Sequence, residues 1–262
     1  SSSLRASSPT RIRHRPLRTP SRISALASAA ETPQTEEDLR LLVGRLSLEE
    51  KIGQLNLRGR GSTGSTDEIP NDLVADVRAG RVGALINIML PAAIDRLQRI
   101  AVEESPHGIP LLFGRDVIHG LHAVAPIPLA QAATWNPELV REGARFAARE
   151  AATRGINWTF APMMDITRDP RWGRIAESLG EDPYLASELA VAMVEGFQGE
   201  DLSAPGAIAA TAKHFAGYGE SESGRDYATT NIPENELRNV HLRPFRAAVD
   251  AGVSTVMPSF SD

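Results

Sequence analysis

The order of apolar runs and amphipathic segments along the chain predicts an α/β architecture. Five apolar runs of strand length alternate with segments of helical periodicity, and they fall at 82–88, 109–113, 158–164, 207–215 and 253–260. Strands that alternate with helices imply parallel pairing through right-handed crossovers. The pattern leaves two folds open, a doubly wound sheet and a (β/α)8 barrel.

The predicted helices carry recognisable start and stop signals. We expect helices at 37–57, at 91–104, at 136–155, from Pro183 onward and at 234–251. Ser47 and Glu50 have capping-box spacing, which marks a second start within the first helix. Asn136 and Pro137 combine a side-chain cap with a proline at the first helical position. Pro244 should interrupt the last helix, because proline lacks the backbone donor that a helix interior needs.

Polar side chains gather just after the predicted strands, and this favours the barrel. They are Asp116, Asp165, Arg168, Lys213, His214 and Asp262. Functional groups contributed by many successive strand ends suit a (β/α)8 barrel better than the single crevice of an open sheet. The sequence also lacks a Gly-rich dinucleotide fingerprint after a strand. Five strands cannot close a ring of eight, so we expect an incomplete TIM-type barrel.

The first 36 residues differ from the rest and are expected to form a disordered leader ahead of a partial barrel at 37–262. Six of the 28 basic residues lie within the first 30 positions, where no acid occurs. The remaining chain has 22 basic and 33 acidic residues, a net charge of −11. Two interpretations of the leader stay open. It is an export or transit segment, which would place the protein in the periplasm or outside the cell, or an upstream extension or cloning remnant.

This composition argues against several function classes. An acidic body does not suit a nucleic-acid-binding protein, which needs a basic face, and no apolar run reaches the length of a membrane span. The chain has no cysteine, so disulfides and thiolate metal sites are excluded. His119 and His122 lack the helix-borne His-Glu pattern of zinc hydrolases. We therefore expect no nucleic acid, membrane, metal or cofactor as a partner.

Three stretches carry candidate binding chemistry. Asp116 follows a strand, where its carboxylate could accept from two neighbouring sugar hydroxyls; the alternative is a cap or an ion pair with Arg115. The loop 168–174, RDPRWGR, concentrates three arginines and a tryptophan. Its guanidinium groups could be fixed bidentately on an acidic neighbour while offering a remaining N–H to a ligand. The candidate acids are Asp165, Asp169, Glu177 and Glu181, and at least one arginine should only buttress the loop.

The Lys213-His214 pair is the third stretch. Adjacent strand residues point to opposite faces, so both can meet one ligand only where the strand finishes and the backbone bends. Glycines at 217 and 219 fit such a bend, and lysine and neutral histidine are suitable donors to sugar hydroxyls. A structural role is the alternative for either residue alone.

Five motifs together resemble the N-terminal barrel of family 3 glycoside hydrolases of the β-glucosidase type. They are GRDVIHG (114–120), APMMDITRDPRWGRIAESLGEDP (161–183), AVAMVEGFQG (190–199), TAKHFAGYG (211–219) and STVMPSF (254–260). The resemblance covers residues 38–262. It implies that Asp116, Arg174, Lys213 and His214 hold the sugar at the cleavage point, with Met257, Arg225 and Tyr227 as further substrate-binding candidates.

The resemblance also implies a reaction. Members hydrolyse terminal β-glycosyl residues of β-glucosides or oligosaccharides with retention, using two carboxylates about 5–5.5 Å apart. Both carboxylates are expected beyond Asp262, so the chain should hold no catalytic residue and be inactive alone. Ala216 and Tyr218 occupy the positions where N-acetylglucosaminidases of the family carry proline and histidine. This favours a glucosidase or a xylosidase.

Two other function classes stay open. The chain could be a non-catalytic carbohydrate-binding or interaction module, which an in-frame stop after Asp262 would support. A sugar-phosphate barrel enzyme is a third possibility, disfavoured because no phosphate-cradling glycine loop is present. An incomplete barrel leaves unpaired strand edges, so we expect aggregation, a homo-oligomer or assembly with a missing segment.

Overall fold

The computed structural model describes residues 35–59 and 69–261. The leader predicted for 1–36 lies largely outside these ranges, as does Asp262. The described residues form six strands, one more than predicted: β1 (Leu57–Gly59), β2 (Ala84–Ile86), β3 (Leu112–Arg115), β4 (Trp158–Thr159), β5 (Thr211–Phe215) and β6 (Thr255–Pro258).

Nine α-helical segments accompany the described strands. They are α1 (Glu36–Arg45), α2 (Leu48–Gln54), α3 (Asn71–Arg78), α4 (Pro91–Arg99), α5 (Pro128–Ala132), α6 (Pro137–Thr153), α7 (Pro183–Gln198), α8 (Glu234–Glu236) and α9 (Leu242–Asp250). Short α3 and α5 were not predicted. Among the described residues, no helix has both the length and the apolar character needed to cross a membrane.

The strands pair in parallel, as the alternating pattern predicted. One sheet has the order β1-β2-β3-β4, and β5 pairs with β6 in a second. Parallel bridges from Trp158 to Ala209 and from Met163 to Lys213 join the two sheets. The Trp158 indole N–H reinforces this junction, because it lies 2.9 Å from Oγ1 of Thr211 and 3.0 Å from Oγ1 of Thr255. The six strands therefore follow chain order across one continuous arc.

The amino-terminal helices correct two predicted boundaries. Thr35 caps α1 through a reciprocal capping box with Asp38, so the first helix begins at Glu36, one residue before the predicted start at 37. The single helix expected at 37–57 ends at Leu46, which is extended, and restarts at Ser47, whose capping box with Glu50 is confirmed. Residue 57 begins β1 instead of ending the helix. Leu46 is buried between the helices, so tertiary packing sets the break.

The interruption expected near Pro244 is present, but it lies ahead of the proline. A π-helical turn at Leu237–His241 separates α8 from α9. The backbone stays in the αR region across this turn, at Leu237, His241 and Leu242. Pro244 has no N–H to donate to the preceding turn, so a widened turn ahead of it is the expected interruption of a continuous helical segment.

Helices α6 and α7 have the most extensive mutual contact among the described elements. Asn136 accepts from the Leu139 N–H at the start of α6, and Asp182 caps α7 in the same way through Leu185. Val140, Ala144, Ala147 and Ala151 are buried on α6, and Leu189, Met193 and Phe197 on α7. The carboxyl end of α7 meets the start of β5, where the Phe197 carbonyl accepts from the Ile208 N–H and Oε1 of Gln198 accepts from the Ala210 N–H.

Candidate functional site

Four of the seven predicted site residues converge at the carboxyl ends of the strands. Asp116 directly follows β3, Arg174 lies on a 3-10 turn at Gly173–Glu177, and Lys213 and His214 belong to β5. Together with Glu177 they form what we term the strand-end cluster. Parallel strands bring their carboxyl ends to one edge, and this places residues that are nearly 100 positions apart in contact.

Lys213 is the centre of the strand-end cluster. Its side chain is only 2% exposed, and Nζ lies 3.1 Å from Oδ1 of Asp116 and 3.8 Å from Oε2 of Glu177. A buried ammonium group needs such partners because desolvation is otherwise unfavourable. Asp116 pairs with Lys213 and not with Arg115, whose Nη1 donates to Asn87 instead. The Asp116 carboxylate remains partly open to solvent, at 45% exposure.

Arg174 is held by Glu177 in a two-pronged ion pair. Its Nε lies 2.7 Å from Oε1 and its Nη2 lies 2.9 Å from Oε2 of the same carboxylate. Burial works against the charged guanidinium, but the bonds to Glu177 outweigh it and raise the pKa of Arg174. Burial also opposes ionisation of Glu177, and Arg174 and Lys213 overcome that effect and lower the pKa of Glu177. Both groups are therefore charged, and the direction of the guanidinium is fixed.

The buried carboxylate of Asp165 fixes His214. From sequence, Asp165 was considered as a partner for an arginine and not for His214. Oδ2 of Asp165 lies 3.1 Å from the His214 backbone nitrogen and 2.8 Å from Nδ1. Both side chains are almost fully buried. Because an ionised carboxylate only accepts hydrogen bonds, Nδ1 carries the proton of this bond. The neutral histidine that was expected to donate to a ligand therefore uses Nδ1 for the bond to Asp165. Nε2 is its other polar atom.

A bulge in β5 explains how neighbouring residues serve one site. Lys213 pairs with Met257 of β6, but the next partners are Phe215 and Pro258, and the register shifts between Lys213 and Phe215. The extra residue lets adjacent side chains depart from strict alternation. The strand finishes at Phe215, one residue after the pair, as predicted. Gly217, with φ 87°, makes the expected bend two residues beyond the strand.

An aromatic layer backs the strand-end cluster. Tyr218 is fully buried and lies against His214, with ring centroids 5.2 Å apart. Arg174 Cζ lies 5.6 Å from the Tyr218 centroid and 5.9 Å from that of Phe260, distances within the range of a cation–π contact. Phe260 also lies 5.1 Å from the His214 ring. The Arg174 and His214 side chains therefore both lie against the rings of Tyr218 and Phe260.

The weaker candidates have different placements. Met257 is half-buried in β6 opposite Lys213, and exposed Tyr227 lies 5.6 Å from Phe260 by ring centroids. Arg225 is exposed and is tied in only through its backbone, between Glu222 and Ala228. The structure therefore brings Met257 and Tyr227 to the margin of the strand-end cluster and leaves Arg225 outside its described contacts.

The three arginines of the 168–174 loop have separate roles. Arg174 alone reaches the strand-end cluster. Arg171 is exposed and grips Asp169 of its own loop, with an Nη2 to Oδ2 distance of 2.7 Å, and the pKa of Asp169 falls to about 2 because of those bonds. Arg168 binds Glu236 of α8 at 2.7 Å. The expectation that at least one arginine buttresses the loop is met by Arg171.

Sequence reasoning missed two residues at this site. Asp226 accepts from the Trp172 indole at 3.0 Å and from the Tyr218 hydroxyl, and Phe260 completes the aromatic layer. Asp226 stands between the two weaker candidates Arg225 and Tyr227, so the segment was noted without its carboxylate. Within the described residues, no cluster of three or more histidines, cysteines or carboxylates could hold a metal ion.

Known proteins with similar sequences are glycosidases. The chain is 39% identical over 216 residues to a periplasmic β-glucosidase of Salmonella typhimurium, covering 82% of this chain and 28% of that protein. It is also 39% identical over 196 residues to a β-xylosidase of Formosa agariphila, covering 70% and 27% respectively. The chain thus spans less than a third of the length of these curated relatives.

Solved structures and a family model agree with these relatives. A β-glucosidase from Listeria innocua in complex with glucose matches with a TM-score of 0.78 and 37% identity, over 87% of this chain and 33% of that one. An exo-1,3/1,4-β-glucanase from Pseudoalteromonas matches with a TM-score of 0.77 and 30% identity, over 88% and 31%. The model of the glycosyl hydrolase family 3 N-terminal domain matches residues 47–262. The chain therefore belongs to glycosyl hydrolase family 3.

Proposed function

We propose that this chain supplies the sugar-holding wall of a retaining β-glucosidase that removes terminal β-D-glucosyl residues from β-glucosides or oligosaccharides. The observation that carries the proposal is the convergence of Asp116, Arg174, Lys213 and His214 on one edge. The Salmonella and Listeria relatives are named β-glucosidases, which supports the same activity.

The strand-end cluster suits a neutral polyol. A sugar hydroxyl both donates and accepts a hydrogen bond. Asp116 and Lys213 offer an acceptor and a donor only 3.1 Å apart, so one hydroxyl or two vicinal ones can replace part of their mutual bond. Arg174, turned by Glu177, adds further N–H donors. Charged partners make these bonds stronger than neutral ones.

We further propose that the strands form part of a (β/α)8 barrel, with residues 37–262 as its partial N-terminal domain and 1–36 as a leader. The parallel order along the chain and the likeness to the Listeria β-glucosidase support this. A periplasmic or secreted location is proposed because the Salmonella relative is named periplasmic.

The attacking and protonating carboxylates are proposed to lie in sequence beyond Asp262. The test compares two purified proteins on 4-nitrophenyl β-D-glucoside: the 262-residue chain and the product of the complete reading frame that contains it. We expect turnover only from the longer protein, with a β-anomeric first product by proton NMR. Turnover by the 262-residue chain, or inversion by the longer one, would contradict the proposal.

A lysine variant tests the strand-end cluster itself. In the longer protein, Lys213→Met should lower kcat/KM by about 100-fold or more, because a charged hydrogen bond contributes about 1.5–3 kcal/mol and two carboxylates lose their partner. Lys51→Met, on the exposed face of α2, is the matched control and should change kcat/KM less than about twofold. If Lys213→Met left kcat/KM unchanged, the strand-end cluster would have no part in substrate binding.

A β-xylosidase is the second candidate, favoured by the Formosa relative. Ala216 and Tyr218 stand where a proline and a histidine would be expected in an N-acetylglucosaminidase, so that activity is less supported. The ratio of kcat/KM for 4-nitrophenyl β-glucoside, β-xyloside and N-acetyl-β-glucosaminide decides among them. A longer protein inactive on all three but retaining glucose in equilibrium dialysis would instead support a non-catalytic carbohydrate-binding module.

A further inference from the structure

Trp172, Tyr218 and Asp226 form a hydrogen-bonded bracket beside the aromatic layer. Its acceptor, Asp226, belongs neither to the strand-end cluster nor to the five sequence motifs. The indole N–H of Trp172 and the hydroxyl of Tyr218 both donate to Oδ1 of Asp226. Trp172 and Tyr218 are fully buried, and their rings meet edge to face with centroids 5.1 Å apart. Buried Trp and Tyr donors need an acceptor, and one carboxylate oxygen serves both.

The bracket ties together two loops that carry different site residues. Trp172 belongs to the 168–174 loop, two residues before Arg174, and Tyr218 lies four residues after His214. The same two loops also interlock through glycine. A side chain at Gly219 would overlap the Ile166 carbonyl, and one at Gly224 would lie 2.8 Å from Arg171 Cβ. The two loops therefore pack too closely at these glycines for a side chain, and Asp226 adds hydrogen bonds to Trp172 and Tyr218.

Tyr218 transmits this contact to the site. Its ring faces the Arg174 guanidinium at 5.6 Å and meets the His214 ring at 5.2 Å. Moving the ring would therefore move the surface on which both groups rest. Burial opposes ionisation of Asp226, but the bonds from Tyr218 and Trp172 outweigh it and lower the pKa of that carboxyl. A charged acceptor strengthens both bonds.

We propose that Asp226 is a positioning residue, which sets Arg174 and His214 at the spacing a glycosyl unit requires by fixing the ring of Tyr218. This role rests on the proposed function, since the geometry it maintains is that of the sugar-holding wall. Asp226 makes no described hydrogen bond to Arg174 or His214, so its hydrogen-bonded route to them runs through Tyr218, while its charge also attracts the Arg174 guanidinium.

The test uses the complete enzyme and separates binding from folding. Asp226→Ala should raise KM for 4-nitrophenyl β-glucoside about tenfold with little change in kcat. A misplaced binding wall weakens the binding of the substrate and of the transition state to the same extent. Asp226→Asn keeps one acceptor oxygen and should raise KM less. A purely structural role would instead reduce the amount of active enzyme, so kcat would fall at unchanged KM, and that result would overturn the proposal.

A double-mutant cycle establishes the route through tyrosine. If Asp226 acts through the Tyr218 hydroxyl, the effects of Asp226→Asn and Tyr218→Phe on KM should not add. Additive effects would contradict the route, and the cycle remains decisive if Asp226→Ala fails to fold. Asp201→Asn is the matched control, because Asp201 also accepts from a neighbouring hydroxyl but lies on an exposed turn. Its KM should stay within about twofold of wild type.

A spectroscopic measurement on the 262-residue chain distinguishes failure of this proposal from failure of the proposed function. The Trp172 indole N–H should exchange slowly with solvent in the wild type and faster in Asp226→Ala. Slow exchange with an inactive complete enzyme would refute the glucosidase proposal and leave the bracket standing. Equal exchange in the two proteins would refute the bracket, whatever the enzyme does.

Discussion

Asp165 is the single residue whose loss should affect the fold most directly at the site. Its Oδ2 is the acceptor for two buried donors of His214. Asp165→Ala leaves both donors without a partner in a dry environment, so we expect the free energy of unfolding to fall by about 2–4 kcal/mol. Urea denaturation of the chain measures this loss.

The control for Asp165 is an exposed carboxylate with an arginine partner. Glu234 and Arg238 form such a pair, with side chains 75% and 68% exposed. Because solvent screens exposed pairs, Glu234→Ala should cost less than about 0.5 kcal/mol. If Asp165→Ala cost no more than Glu234→Ala, the buried bonds to His214 would not stabilise the protein.

The Tyr218 hydroxyl contributes a part of the free energy of unfolding that is lost at high pH. Burial, reinforced by the bond to Asp226, raises the pKa of the Tyr218 hydroxyl from its ordinary value of 10.0 to about 12. Between these values the unfolded chain loses the phenol proton and the folded protein keeps it. The contribution is therefore complete below pH 10 and is lost as the pH rises through about 12. The loss should be on the order of 1–3 kcal/mol.

The tyrosine contribution is isolated by comparing variants. Urea titrations measure the free energy of unfolding of wild type and Tyr218→Phe at pH 9 and at pH 11.5. The difference between the two proteins should be smaller at pH 11.5, because phenylalanine has no proton to lose. Tyr184→Phe, at a position 67% exposed, should follow the wild-type pH dependence. A Tyr218→Phe variant that also followed it would show that the hydroxyl is not held more tightly in the fold.

At the residue scale, the sequence indicated which residues lie together better than it indicated their partners. Residue types at strand ends singled out Asp116, Lys213 and His214, and the family resemblance chose Arg174 among the three loop arginines. The pairing of His214 with Asp165 depends on a β-bulge, which no single-residue signal announces. Asp226 was missed because its partners lie 54 and 8 positions away, and that separation is visible only in three dimensions.

At the scale of elements, the contact between α6 and α7 depends on a glycine. A β-carbon at Gly196 would lie 2.5 Å from the Arg141 carbonyl oxygen and 2.6 Å from Ala144 Cβ. Alanine favours a helix over glycine by about 1 kcal/mol. Overpacking costs about 1–3 kcal/mol. Here the new β-carbon would clash with the Arg141 backbone, which cannot move aside. We therefore expect Gly196→Ala to lower the melting temperature, despite the better helix former.

The same substitution at Gly143 of α6 provides the matched control. Nothing lies within 4 Å of a β-carbon there, so only the helix propensity changes and the free energy of unfolding should rise by about 0.5–1 kcal/mol. Calorimetry on both variants should show shifts of opposite sign. A stabilised Gly196→Ala protein would mean that the two helices tolerate a wider separation.

Element prediction succeeded where local signals and burial agree. The cap at Asn136 and the prolines at 137 and 183 placed the starts of α6 and α7 from sequence. Leu57, the first residue of β1, was predicted to end the first helix, because neither glycine nor proline separates it from the end of α2. Its strand conformation comes from pairing with β2, 27 positions further on, and tertiary pairing overrides local propensity.

At the scale of the whole molecule, the described structure leaves one edge of the parallel sheet open beside an apolar groove. Among the described strands β6 has β5 as its only neighbour. Val256 of β6 and Phe215 of β5 are 50% and 49% exposed. Together with Phe245 and Val249 of α9 they line a groove between the sheet edge and α7. Parallel sheets are normally covered on both faces, so this surface favours association.

We expect the purified 262-residue chain to associate in a concentration-dependent way through this edge. Val256→Lys should shift sedimentation-velocity profiles toward the monomer, because a charged side chain on an edge strand opposes pairing with another strand. Leu139→Lys introduces the same charge at another exposed apolar position, 52% exposed on α6, and should leave the profile unchanged. A wild-type chain that sediments as a monomer at all concentrations and melts cooperatively would show that the described strands form a self-sufficient unit, and the partial-barrel proposal would then have to be abandoned.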